Sequence, residues 1–280
     1  MFFRGALPKV IILYHPLRGY NCLAHRGFEE ANSRLPEGIN RIMSFKWFGE
    51  KGPQLETSPG GSVIRRYDRA KWASTRIGLT DESTAEFPEA REAVYHRFFG
   101  EARSVSHEVF PLIPHVDVFT YYRRGKDERD VCTLVTSGMS DLEMNVPAGV
   151  KAPRRCELIL YCLEPKPDYI ETMRWLAHFP HNQKTWIDSG HTIPNGNPPA
   201  PFWGSSVLDT ILLIPPIMKR DQTLPDELVL GGEPVHFLWM VPLTTPECNL
   251  KLAKGLDTIL DLFQRNRHPH VFDPNRTSYV

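Results

Sequence analysis

Val131-Cys-Thr-Leu-Val-Thr-Ser-Gly-Met-Ser-Asp-Leu142 is the stretch on which the fold turns, together with its sequel Cys156-Glu-Leu-Ile-Leu-Tyr-Cys-Leu163. The first is a short apolar run that breaks at Ser137-Gly-Met-Ser-Asp141. The second follows a loop built on Val146-Pro-Ala-Gly-Val150. Two apolar runs of strand length that bracket a Ser/Gly/Asp turn predict neighbouring strands near the centre of a sheet. Within the turn, Gly138 is expected to supply a positive φ angle, with Ser140 and Asp141 hydrogen-bonding the turn backbone.

Working towards the N-terminus, Pro114-His-Val-Asp-Val-Phe-Thr-Tyr-Tyr122 closes a strand-like segment from His107 that is rich in β-branched and aromatic residues. Alternation puts His115, Asp117, Phe119 and Tyr121 on one face and Val116, Val118, Thr120 and Tyr122 on the other. The charged run Arg123 to Asp130 reads as a solvated turn, so a loose hairpin joins this strand to Val131. Phe87 to Gly100 predicts a helix, with Pro88 and acids in its first turn, Gly100 as its stop, and Ala90, Val94 and Phe98 on one face. Gly49 to Gly61 reads as a linker, and Val63 to Trp72 as a short basic segment with Tyr67 and Trp72 for docking. Residues 1–45 carry scattered Arg, Gly and Pro and no period beyond the brief run Val10–Tyr14. They are read as a weakly structured N-terminal extension, with Met43 as an alternative start of translation. Residues 46–280 then form one domain with its core at 88–280.

Towards the C-terminus, Pro167 to Phe179 predicts an amphipathic helix on Ile170, Met173, Leu176 and Ala177, stopped by Pro180. Trp186 to Ile193 reads as a short strand or turn, Asn195 to Pro199 as an irregular loop, and Ser206 to Ile214 as an apolar run ended by Pro215-Pro216. Pro234 to Leu243 is the most strand-like run of this half. Thr245-Pro-Glu opens a helix with a hydroxyl cap, a proline and a carboxylate against the dipole. Gly255 predicts either a break between two helical pieces or close packing against the sheet, and His270 to Tyr279 a last short strand. Irregular interleaving of helices and strands gives the fold class: α+β, one mixed, mainly antiparallel sheet with helices packed against it.

Composition narrows the functional classes. The 280 residues carry 33 basic and 33 acidic side chains, so bulk charge gives no reason to expect nucleic acid as a partner. Twenty-five prolines, nearly twice the average share, favour many turns over a helical bundle. The five cysteines are odd in number, include no C-x-x-C, and fall partly in apolar strands. Reduced thiols acting as small hydrophobes fit a cytoplasmic chain. No run reaches the ~20 apolar residues of a membrane span, and Val10–Tyr14 lacks the flanks of a secretory signal.

Candidate sites divide into chemistry and binding. Ser137 with His115 and Asp117 has the residue types of a hydrolase relay, but the turn lacks the G-x-S-x-G elbow that would expose a nucleophile. The enzyme alternative, a hydrolase or metal-dependent enzyme on Ser137, His115 and Asp117, rests on those residues. His178 and His181 are spaced H-x-x-H with neither H-E-x-x-H nor paired cysteines; His107-Glu108 and His115-x-Asp117 offer ligand types, but a His–Asp pair on a strand face reads as a structural hydrogen bond. No metal and no cofactor are therefore expected. Gly60-Gly61 and Asn195-Gly-Asn197 lack the spacing and the lysine of a phosphate loop.

The ordered series Phe98-Phe-Gly100, Pro114-His-Val-Asp117, Thr136-Ser-Gly-Met-Ser-Asp-Leu142, Glu157-Leu-Ile-Leu-Tyr161, Ser189-Gly-His191, Thr244-Thr-Pro-Glu247, Gly255 and Asp273-Pro-Asn-Arg276 resembles the suppressor-of-fused family. The resemblance implies that family's N-terminal α/β-type domain, standing alone as in bacterial members. The animal protein grips a transcription-factor peptide by added strand pairing. Leu134 stands here where animal members carry a tyrosine, and the chain is expected to lack the family's second domain. The resemblance thus implies a non-enzymatic, cytoplasmic protein-binding domain, an immunity protein that neutralises a nuclease-type toxin. Asp141, Glu143, Glu157 and Glu247, with His115 and Asp117, are the expected binding residues, because carboxylates steer association with a basic partner.

Overall fold

All eight residues of Arg155–Cys162 are buried, Arg155 and Glu157 included. A strand with one wet face alternates, so continuous burial means that both faces are covered. The computed structural model describes residues 10–14, 56–67, 86–109, 112–124 and 130–280, and it shows a sheet with helices on both sides. The strands are β1 (Val10–Tyr14), β2 (Glu56–Thr57), β3 (Val63–Tyr67), β4 (Ser104–Ser106), β5 (Asp117–Arg124), β6 (Asp130–Ser137), β7 (Arg155–Cys162), β8 (Thr192–Pro194), β9 (Leu208–Ile214), β10 (Val229–Leu230) and β11 (Glu233–Thr244). They run in the order β2-β3-β1-β8-β9-β11-β7-β6-β5-β4, with β10 on β11. Among these pairings β11 with β7 is parallel and the rest are antiparallel. The α+β class and the mixed, mainly antiparallel sheet are those of the sequence reading.

Five helices are described: α1 (Glu86–Phe99), α2 (Pro167–Asn182), α3 (Leu224–Glu227), α4 (Thr245–Lys254) and α5 (Leu256–Arg265). Leu134, Leu158, Leu160, Leu238 and Met240 point to one face and pack with Met173 and Leu176 of α2. Their chain neighbours Val135, Ile159, Trp239 and Val241 point to the other, with Val94, Tyr95 and Phe99 of α1 and Ile259 and Phe263 of α5. The period of two thus feeds two cores from the same strands. No described helix is long and apolar enough to cross a membrane.

Several local expectations shift. The segment from His107 is not one strand: β4 ends at Ser106, and β5 begins at Asp117 beyond a loop. α1 buries Arg91, Val94, Tyr95 and Phe99 and leaves Ala90 in solvent, because its sheet-facing stripe is set one residue on from the expected one. α2 runs past Pro180 to Asn182. Proline keeps a helical φ, and the helix carries on for two residues at the cost of one N–H···O bond to the i−4 carbonyl. The cap of α4 is Thr244, not Thr245: Thr244 and Glu247 form a reciprocal capping box. Gly255, at φ 94°, does separate α4 from α5. The tail 270–279 adds no strand and is fixed instead by Phe272 N–H to Tyr161 O (2.8 Å) and by Arg276. Val10–Tyr14, which carries no strand period of its own, pairs with β3, and the expected linker holds β2. Arg123 lies in β5, paired with buried Asp221. The rest of the expected N-terminal extension, Met43 and Trp72 lie outside the described residues, as do 125–129 of the expected turn.

Candidate functional site

Gly138 sits where a side chain has no room. Its φ is +124°, and a Cβ would lie 1.8 Å from the His115 carbonyl oxygen. The turn after β6 is therefore pressed onto the chain entering β5, where Asp117 pairs in register with Ser137. This close approach gathers one group of side chains at one end of the sheet.

Glu157, on β7 and fully buried, holds the turn from below. One carboxylate oxygen accepts from the N–H of Gly138 (3.0 Å), the N–H of Ser140 (3.0 Å) and the Ser140 hydroxyl (2.6 Å). The other accepts from the Thr136 hydroxyl at 2.7 Å. The expectation that Ser140 and Asp141 would hydrogen-bond the turn backbone is thus replaced by a carboxylate from the neighbouring strand. Arg91 reaches in from α1: its Nε donates to Ser137 Oγ (2.9 Å), its Nη atoms bind both oxygens of Asp141, and Glu157 lies 3.9 Å away. Burial works against the Arg91 cation, and the carboxylates of Glu157 and Asp141 outweigh it, holding its pKa above the usual value. Burial pushes the Glu157 carboxyl up despite Arg91 and its hydrogen-bond donors. A buried ion group is tolerable only when its members are so fully bonded.

Two further side chains clasp the turn. Arg155 donates to the carbonyls of Ser140 (2.7 Å) and Asp141 (2.9 Å) and approaches Glu143 at 3.6 Å. His181, on α2, donates from Nε2 to the Met139 carbonyl at 3.0 Å. Beside the turn, Asp117 lies between His107 Nδ1 (2.8 Å) and His115 Nε2 (3.1 Å) and accepts from the Glu108 N–H (2.9 Å). Buried Glu108 accepts from the Val116 N–H (3.0 Å) and meets His178 Nε2 at 2.7 Å.

Of the sequence-derived residues, His115, Asp117, Asp141, Glu143 and Glu157 are thus brought together. Their exposures differ: the side chain of Glu143 is 39 % exposed, His115 37 %, Asp117 17 %, Asp141 11 % and Glu157 0 %. Glu247 stands in a separate cluster, buried beneath Arg276 (2.6 and 2.8 Å) and accepting from the N–H groups of Thr244 (2.9 Å) and Tyr279 (3.0 Å). Burial raises its pKa, but Arg276 and those amides more than offset it, so the carboxyl sits below its usual value. Ser137 has Arg91 as its partner, a cation unable to take a proton, while His115 is turned to Asp117. The three residues of the enzyme alternative are neighbours without forming a relay. His178 and His181 bind different partners, Glu108 and the Met139 carbonyl. Among the described residues no group of three or more His, Cys, Asp and Glu could hold a metal ion.

Sequence reading missed Arg91, Arg155 and the turn contact of His181, and it named Glu108 only beside His107, not with its partners Val116 and His178. The one signal for Arg91 was its place three and four residues before the buried Val94 and Tyr95, on the same helical face.

Together these features define an α+β domain whose central turn is locked from beneath by a buried carboxylate. The family model described as suppressor of fused protein matches residues 113–277, and the chain belongs to the suppressor-of-fused family. No curated protein matches it. Among solved structures, a homologue of suppressor of fused from Neisseria gonorrhoeae is similar with a TM-score of 0.54 and 17 % identity, over 70 % of this chain and 98 % of that one. The Sufu–Fu complex gives a TM-score of 0.48 and 10 % identity, over 70 % of this chain and 91 % of that one. At such identities the likeness is one of fold.

Proposed function

We propose that the chain binds another protein through the end of the sheet around Ser137–Leu142, and that it acts as a cytoplasmic immunity protein neutralising a nuclease-type toxin. The observation that carries the reading is family membership over 113–277, a span that contains the whole turn together with Glu157, Arg155 and His181 beneath and beside it. Glu143, His115 and Asp117 are the reachable members, and they suit a partner with a basic surface. Asp141 and Glu157 act one layer down, fixing the turn that such a partner would touch. Glu247 contributes by anchoring α4 and the C-terminal tail.

The test is affinity capture from the native host with the wild-type chain and two variants. Glu143→Lys reverses an exposed charge paired with Arg154 (2.7 Å) and should cut retention of the partner about tenfold, while circular dichroism shows the chain still folded at the temperature of capture. Val229→Lys, at an exposed position on the short strand β10, should retain it fully. If no protein is retained, or Glu143→Lys retains it as well as wild type, the assignment fails. Release of nuclease activity from the captured partner on dissociation supports the toxin reading, and a partner without it overturns that part.

A further inference from the structure

A second feature lies away from this turn. Between α5 and the segment following β9 runs a groove of about 600 Å³. Its wall is Ile214, Trp239, Leu256 and Phe263, and its rim is Ile217 and Leu260, which are 52 % and 38 % exposed. That volume falls in the usual range for small-molecule sites, about 300–1,000 Å³. A concave, mostly apolar lining with a few polar groups is the usual form of such sites.

The groove has a charged end. Arg267 lines it, and no described lining residue is acidic. Arg267 also occupies an unusual backbone position. α5 closes with the Arg267 N–H on Gln264 O (3.2 Å) and the His268 N–H on Phe263 O (2.9 Å), the hydrogen-bond pair of a Schellman cap. The residue at this place takes a left-handed conformation that glycine adopts without strain, yet arginine holds it at φ 50°. Arg267 forms no ion pair with a described carboxylate. His268, stacked on Phe263 at 4.2 Å, is held neutral by burial and by Arg276, its pKa pushed down to about 4. Arg267 is thus the groove's cation at neutral pH.

The walls favour a ligand without peptide groups. Pro215 and Pro216 have no N–H to donate, and the backbone of α5 is satisfied within the helix. Among the described lining residues, the rings of Trp239 and His268 aside, only Ser189, Gln222 and Gln264 offer neutral side-chain partners to peptide amides, and Gln222 already donates to Pro216 O (3.0 Å), whereas a hydrocarbon chain needs no partners. We propose that the groove binds a medium-chain fatty acid, its chain along Ile214, Trp239 and Phe263 and its carboxylate on Arg267. This site is independent of the partner-protein surface at Ser137–Leu142.

Isothermal titration of the full chain with decanoate below its micelle concentration tests the proposal, with decyltrimethylammonium as the cationic counterpart. Wild type should bind decanoate saturably at one site and fail to saturate with the cation. Arg267→Gly separates binding from folding: relief of the left-handed strain should raise the unfolding midpoint while decanoate affinity falls at least tenfold. Leu260→Trp, which fills the mouth, should abolish binding. No saturable binding of decanoate, equal binding of the cation, undiminished affinity in Arg267→Gly, or undiminished binding in Leu260→Trp would each overturn it.

Discussion

Glu157 shows how much can depend on one buried carboxylate. It accepts four hydrogen bonds from Thr136, Gly138 and Ser140 and sits 3.9 Å from Arg91. Glu157→Gln preserves volume but turns one acceptor into a donor facing other donors, and it leaves Arg91 with Asp141 alone. Breaking a buried, fully bonded charge group costs about 3–5 kcal/mol. Urea unfolding of the variant should show a loss of that order, and a loss below about 1 kcal/mol would mean that the turn holds itself. In sequence this residue is a single acid in an apolar strand and reads as an outward-facing charge. The glycine of the turn was easier to interpret, because Gly138 carries a conformational requirement of its own.

At the level of elements, α2 and the turn are tied through His181, and that contact makes the fold sensitive to pH. Burial pushes the His181 pKa down to about 4 from an ordinary 6.5, while the Met139 carbonyl that accepts its Nε2–H partly opposes the shift. The unfolded chain therefore binds the proton more readily than the folded one. This contribution to stability is complete above about pH 6.5 and lost as pH falls through about 4. Between pH 7 and 4.5 the wild type should lose more unfolding free energy than His181→Gln, as urea midpoints would record. Equal losses would remove His181 from the acid response. Element limits were legible where chemistry marks them, as at Thr244-Thr-Pro-Glu247, although the structure moves the cap to Thr244. The stripe of α1 was misread because Arg91 is buried for its ion pairs, which hydrophobic periodicity cannot register.

Across the whole molecule, two cores share one sheet. Leu158 and Ile159 are consecutive in β7, both fully buried, and belong to opposite faces. Leu158→Ala and Ile159→Ala should each cost about 2–5 kcal/mol. Because the same strands line both cores, each variant should unfold in one transition, with tryptophan fluorescence and far-UV circular dichroism coincident. Separate transitions would show that the two layers unfold independently.

The sequence by itself determined the α+β class, the β5–β6–β7 neighbourhood, helices α1, α2 and α4, and the family. Each follows from local signals: apolar period, turn residues, caps and an ordered series of short motifs. Only the tertiary structure decided that the sheet is covered on both faces, that β11 joins β7 in parallel, and that Glu157 and Glu247 are interior anchors. Burial and pairing depend on what lies across the fold. Arg91 is 66 residues from Glu157, and Arg276 is 29 from Glu247. No window of about 11–18 residues, the length over which periodicity is read, contains both partners of either pair, so their charges read as surface until folding brings them together.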